Sequence, residues 1–465
     1  MKAADLTGER MTVSERRATF WLAGVFSLRM LGLFMILPVF ALYAEHLQGN
    51  TPALAGLAIG VYGFSQAIFQ IPFGFLSDHY GRKRIIYLGL LIFALGSVVA
   101  ALADSIWGVI LGRALQGGGA VSAAAMALAA DLTREEHRIK VMAFIGITIG
   151  LSFAVSMVLG PALNGWIGVP GIFWLTGMLA LLGIIIVRFR VPDPVVSRIH
   201  RDAEPVASQF GRVLGDRQLL RLNFGIFTLH MLLTATFVAT PLALRDAGLV
   251  SDQHWRVYLP ALILSIMAMA PFVIIAGKQR GLKPVFLGAI LTLALTEFGL
   301  LTWRDTVLDI GLLLIAFFTA FNLLEATLPS LIARMAPSDA KGTAMGIYSS
   351  SQFLGAFTGG ALGGVLHGRF GLQGVFAFAA LGALSWLLVA WTMDNPRHLS
   401  NRLLNIGACD EAEARHLAMR LSQVPGVAEA VVIAAEGVAY LKVDRHILDE
   451  VALRELTMAH AQAGL

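Results

Sequence analysis

The sequence predicts an all-α, polytopic membrane protein followed by a small α/β domain. Three observations carry that prediction. Of 465 residues, 57% are apolar and only 14% are charged, and the mean hydropathy is +0.73; soluble chains carry about 25% charged residues. Apolar stretches of about twenty residues recur, the length a helix needs to cross a hydrocarbon core of roughly 30 Å. From Asn395 onward the chain turns polar and its periodicity shortens. Helices are the expected spanning element, because they satisfy their own backbone in lipid. Phe (28) and Gly (48) are abundant, as in packed membrane helices. The first twenty residues lack a signal-peptide cleavage pattern, so the first apolar run is expected to stay in place as a helix.

Taken in order, twelve spans are expected at 18–44, 53–76, 85–102, 106–130, 141–165, 171–188, 219–244, 256–276, 284–303, 307–332, 341–366 and 371–393. Gly or Pro interrupts several, as in "FMILPVF" at 34–40. The charged stretch 189–218, with its "VPDP", is expected to be a linker between a first six-helix bundle (1–188) and a second (219–394). Most Lys and Arg fall in the N-terminal tail and the even-to-odd connections. The odd-to-even connections hold only Arg245, Arg256, Arg304 and Arg369. Positive loops stay inside, so both termini are expected in the cytoplasm. The halves also share faint similarity. "FIGITIG" at 144–150 matches "AMGIYSS" at 344–350, "GPALNG" at 160–165 matches "GALGG" at 360–364, and Gly81 and Lys83 match Gly281 and Lys283. Such duplication suits a transporter whose halves rock about a central site.

Ionisable groups inside spans are costly and normally face protein or a wet cavity. Arg29 (span 1), Arg113 (span 4), His230 (span 7) and Glu325 (span 10) are the candidates for proton coupling. Glu325 is expected to be protonated in one state and to exchange its proton against substrate; the plainer role is a structural carboxyl. Asn322 lies three residues before it, near the same helix face. Arg29 lines a cavity or braces spans 1 and 5. Glu297, in span 9, is expected nearer the cytoplasmic rim or the lipid. Tyr62, Gln66 and Gln70 in span 2, with Asn322, are expected to line the substrate cavity, and Phe64 and Phe69 to extend it; Phe and Met stripes serve equally well as helix packing.

Between spans 2 and 3 stands "GFLSDHYGRKR", Gly74 to Arg84. Gly74 and Gly81 permit a tight turn and close helix approach, and the bases answer to anionic headgroups. Asp78 needs a partner, either an arginine or the positive end of a helix. This stretch resembles the signature loop of the major facilitator superfamily, G-x-x-x-D-x-x-G-R-K/R-x, as do the twelve spans and the basic central linker. The resemblance implies a cytoplasmic latch: Asp78 holds the halves together near the start of span 11 when the cavity opens outward, and Arg82 pairs with an acid at the end of span 4, which matches Asp131. In the second half Lys278 stands where the acid would be, which puts a full second latch in doubt. "RALQGGG" (Arg113 to Gly119) is similar to the family's R-x-x-Q-G motif, whose arginine is linked to proton transfer. "GPALNG", with Gly160, Pro161, Asn164 and Gly165, resembles the antiporter signature of span 5, Asn164 replacing one glycine.

The tail, 399–460, reads as strand (403–407), helix ("GACDEAEARHLAMRLSQVPGV"), strand (429–434), strand (437–444) and helix (447–456), with a Glu-Gly turn between the later strands. That is a ferredoxin-like order with the last strand missing or very short. Ala414, Leu417, Ala418 and Leu421 share one helix face. "VPGV" is similar to heavy-metal-associated domains, but Cys409 is the only cysteine. It allows no internal disulfide, and with His416, His446 and His460 scattered no metal site is expected. Only Tyr440 could stack on a base, so no nucleic-acid partner is expected. With this tail and the "LRMLGLFMILPVF" of span 1, the chain resembles a small bacterial subgroup of exporters, the YajR-like transporters.

The resulting expectation is a non-enzymatic, proton-coupled exporter of small amphipathic compounds in the bacterial inner membrane. It needs no cofactor beyond the proton gradient, contacts membrane lipid, and works as a single chain. An importer or facilitator, or a sensor built on a transporter fold, remains open.

Overall fold

The computed structural model describes residues 11–193, 207–276, 281–337, 340–394, 400–407, 409–434, 437–444, 447–453 and 456. The first half contains α1 (Val13–Phe34), α2 (Phe40–Ala44), α3 (Pro52–Tyr80), α4 (Arg82–Ala101), α5 (Ile106–Gly118), α6 (Ser122–Asp131) and α7 (Glu135–Phe189). After a short α8 (Phe210–Gly215), the second half contains α9 (Arg217–Asp246), α10 (Trp255–Ala276), α11 (Leu282–Thr302), α12 (Val307–Met335) and α13 (Lys341–Trp391). Among the described residues, eight helices are individually long and apolar enough to cross a membrane. Two of these, α7 and α13, each hold two spans joined at a sharp break, at Gly168 (φ 66°) and Gly371 (φ 65°). Glycine is required there because a Cβ disfavours the left-handed region. The breaks fall at matching places in the two halves. With α1–α2 and α5–α6 as broken spans, each of the twelve expected spans has a helical counterpart.

The break between α1 and α2 lies at the expected "FMILPVF". The break between α5 and α6 was not foreseen, since 106–130 reads as one apolar run. It falls on the glycines of "RALQGGG": a Cβ on Gly117 would collide with the Tyr62 carbonyl, and one on Gly119 with that of Gly89. Close approach to α3 and α4 bends the span there.

The two halves meet along α3 and α13. A Cβ on Gly60 would lie 2.6 Å from Phe357 O, and one on Gly63 2.5 Å from Phe353 O. Gly56 nests against Gly360 and Gly364. Further along, Gln70 Nε2 donates to Gly346 O (3.3 Å) and to Ser350 Oγ (3.2 Å). α9 is the most enclosed helix, with 94% of its apolar window buried inside the protein. Around it an aromatic core gathers Phe237, Tyr258, Phe317, Phe318, Phe321 and Trp386. Leu, Ile and Trp side chains such as Leu388 and Trp166 cover the outside, as a lipid-facing surface requires.

The C-terminal domain has β1 (Ser400–Asn405), α14 (Glu411–Ser422), β2 (Val427–Ile433) and β3 (Val438–Val443). The sheet order is β1-β3-β2, with both pairings antiparallel. Placing β3 between β1 and β2 is the split β-α-β arrangement. The first strand begins at Ser400, earlier than the expected 403. Asp410 caps α14 in a reciprocal capping box with Glu413, and Ala414, Leu417 and Leu421 face the sheet. A helical turn begins at Glu450. The linker 194–206, Lys278, Glu436, His446, His460 and the end of the tail lie outside the described residues.

Candidate functional site

Among the described residues, three polar clusters gather most of the expected site residues. The first is at the end that carries the basic loop. Arg82 is the first residue of α4 and Asp131 the last of α6. A cation at a helix start and an anion at a helix end both sit against the helix dipoles, and pairing them offsets both penalties. Arg82 Nε lies 3.1 Å from Asp131 Oδ2, and the two side chains are 1% and 0% exposed. Arg82 Nη1 also donates to Ser77 Oγ (2.8 Å) and to Asp78 Oδ1. Gly81, with φ 95°, makes the turn, and Gly74 packs on Ala123. The expected latch residues are therefore together. The sequence missed an extension of this group. Glu15, at the start of α1, accepts from Arg134 N (2.9 Å) and Nε (3.0 Å). Burial pushes the Glu15 carboxyl up, but the Arg134 and Thr12 hydrogen bonds outweigh it and hold it down at about 2.

The second group lies within the first half, around Tyr62. Arg29 Nη1 donates to Ser122 Oγ (2.8 Å), and Nη2 donates to Tyr62 Oη (2.8 Å) and to Gln66 Oε1. Arg113 lies over the ring of the same tyrosine, its Cζ 5.0 Å from the Tyr62 centroid. Its Nη1 donates to Gln116 Oε1 (2.9 Å), and Gln116 Nε2 to Ser97 Oγ (2.8 Å). Both guanidinium groups are buried, and among the described residues no carboxylate lies within ion-pair reach of either. Arg29 thus ties α1 to α3 and α6, which corrects the expectation of a brace to span 5.

The third group lies in the second half. Glu325 Oε2 is 3.8 Å from His230 Nε2, and the Glu325 side chain is 38% exposed. The Gln352 amide donates to the same His230 nitrogen at 2.7 Å. Phe321 packs 5.8 Å from the imidazole and stacks on Phe153 of the first half at 5.9 Å. Phe34 meets Phe153 edge-on at 5.0 Å. An aromatic bridge between the halves therefore adjoins the acid and the imidazole. Gln352 was missed, although a lone amide in an apolar span is itself a signal.

The four expected cavity residues belong to three separate hydrogen-bonded groups. Tyr62 and Gln66 bind Arg29, Gln70 is clasped by α13, and Asn322 Nδ2 donates to Ser265 Oγ (3.3 Å). Phe64 and Phe69 are exposed, and Phe64 packs 4.9 Å from Phe357 of α13. Glu297 is corrected too: it is completely buried against α9 rather than at a rim or in lipid. In the span 5 motif, a Cβ on Gly160 would strike Met35 O in the α1–α2 break, and one on Gly165 would lie 3.1 Å from Asp252 Cβ of the second half. Pro161 and Asn164 sit between these contacts, so the motif lies on an interface between the halves. At the end opposite the basic loop, Arg245 Nη1 and Glu45 Oε2 join the halves at 2.6 Å.

Comparisons with known proteins agree with this architecture. A sequence profile described as Major Facilitator Superfamily matches residues 22–278 and 251–435. The chain is 47% identical over 446 residues to the Inner membrane transport protein YajR of Escherichia coli (strain K12), covering 96% of this chain and 98% of that one. It is 25% identical to the Multidrug resistance protein MdtH of Aeromonas salmonicida (strain A449), over 78% of this chain and 91% of the relative. The crystal structure of a bacterial homologue of the human lysosomal transporter Spinster, inward-facing and occupied, superimposes with a TM-score of 0.68 at 12% identity, covering 82% of this chain and 97% of that one.

Proposed function

Because the chain belongs to the major facilitator superfamily, a family of transporters, we propose that it is a proton-coupled exporter of small amphipathic compounds in the bacterial inner membrane. One observation carries the reading: a half-exposed Glu325 faces His230 beside aromatic rings contributed by both halves. His230 Nε2 accepts from Gln352 and so holds no proton there. A proton arriving at Nε2 displaces that amide and turns the 3.8 Å approach into an ion pair. Substrate bound against Phe321 and Phe153 competes for the same space. Proton and substrate thus occupy one region alternately, as antiport requires.

The halves then exchange access by rocking about α3 and α13. At the basic end, taken as cytoplasmic, Asp78 and Arg82 work with Asp131 as the latch. The contacts Gly63–Phe353 and Gln70–Gly346 advance along α3 and α13 in opposite directions. Continued for two turns, they bring Asp78 opposite the start of α13, where a helix dipole attracts an acid. Names of relatives such as MdtH and YajR support efflux and the inner membrane as the setting. Proton flow down its gradient supplies the energy, and one chain provides both halves.

Inverted membrane vesicles test the proposal. A panel of amphipathic compounds should evoke proton release from acidified vesicles containing the wild type and none from those with Glu325→Gln. Release unaltered by Glu325→Gln would dismiss Glu325 as the coupling acid, and silence of the wild type to every compound would dismiss antiport.

A further inference from the structure

Glu297, in the last third of α11, takes no part in the site above. It is 0% exposed, and among the described residues one polar contact reaches it: Thr236 Oγ1 of α9 lies 2.6 Å from its Oε1. The same Thr236 Oγ1 lies 2.7 Å from Leu232 O one turn back on α9. A backbone carbonyl only accepts, and a hydroxyl carries one hydrogen. If Glu297 were a carboxylate, two acceptors would share that hydrogen and one oxygen pair would be left in contact without a proton. If Glu297 is a carboxylic acid, its O–H donates to Thr236, Thr236 donates to Leu232 O, and both contacts hold a hydrogen. The surroundings agree. Among the described residues Glu297 Oε2 is buried without a partner, which is costly for a charge and far cheaper for a neutral carbonyl. The neighbouring elements contribute His230 (α9), His254 beside the start of α10, Tyr258 (α10), Glu325 (α12) and Tyr348 (α13) as titratable groups. Among the described residues none of these, and no Lys or Arg, lies within hydrogen-bond or ion-pair reach of Glu297.

We propose that Glu297 is a second proton-binding site: a neutral acid in this conformation that releases its proton when α9 and α11 part. The release half of this inference rests on the alternating-access reading and adds to it a movement of α9 against α11 inside the second half; the protonation half needs neither. On release the O–H bond breaks, its electron pair stays on the carboxylate, and the proton passes to water entering the parted contact.

Infrared spectra of the full chain in lipid, in H2O and D2O, test it. A deuteration-sensitive carboxylic-acid carbonyl band should be present in the wild type and in Glu325→Gln and absent in Glu297→Gln. The glutamine amide can donate to Thr236 as the acid does, so this variant should stay folded. Thr236→Val keeps the acid but removes its acceptor, and should shift the band to higher frequency. A spectrum in which neither Glu297→Gln nor Thr236→Val alters any carboxylic-acid band overturns the proposal. On raising pH, the Glu297 band should fall while the circular dichroism stays helical. A band that survives until the helices melt marks a permanently locked acid and overturns release. Failure of the Glu325→Gln flux test with the Glu297 band intact would sink the coupling reading alone.

Discussion

Asp78, Arg82 and Asp131 were legible as a group through the resemblance to the family's signature loop, which implies a partner acid where span 4 ends. Their strength comes from burial. Arg82→Ala leaves Asp131 buried without its cation, and breaking a buried pair this way costs about 3–5 kcal/mol; thermal melts in detergent should show the loss, and Asp131→Asn added to it should restore part. Glu15 makes a pH-dependent contribution. Its carboxyl is held near 2, below the ordinary 4.5, so its stabilisation is complete above about pH 4.5 and fades as pH falls toward 2. The melting difference between wild type and Glu15→Gln should therefore be constant at neutral pH and shrink over that acid window. Glu297 and Gln352 were misjudged or missed for one reason. Composition shows that a residue lies in a span, whereas its partner depends on how the helix is rotated, and rotation is set by neighbours far away in the chain.

At the scale of elements, spans and their ends were readable because hydropathy, glycine and charge mark them directly. The break inside 106–130 was hidden, since glycines in an apolar run permit either a bend or close packing, and here they do both. The seam of α3 on α13 depends on the missing side chains. A Cβ on Gly360 would lie 2.7 Å from Gly56 O and 2.8 Å from Gly60 N. Gly360→Leu should therefore force the helices apart, at a cost of about 1–3 kcal/mol by overpacking. Cross-linking between Gln70→Cys and Ser350→Cys, in a background lacking Cys409, should fall sharply in that variant and remain high without it.

For the whole molecule, duplication made the two halves visible before any contact was known. How they touch at the end away from the basic loop was not visible, because Glu45 and Arg245 read as ordinary loop charges. That pair is 45% and 44% exposed, so it should add less than about 1 kcal/mol to melting stability. It should matter more to geometry. Spin labels at Asp104 and Asp305 should move apart in Glu45→Arg and return in the double variant Glu45→Arg/Arg245→Glu. The small domain has an attachment of its own. Lys442 Nζ donates to Met335 O at the end of α12 (3.3 Å) and lies 3.1 Å from Glu429. The half that holds Glu325 therefore carries the domain as a pendulum bob hung from the end of α12. A dye on exposed Met419 should swing with each tilt of that half and make the transport cycle visible from outside the helical bundles.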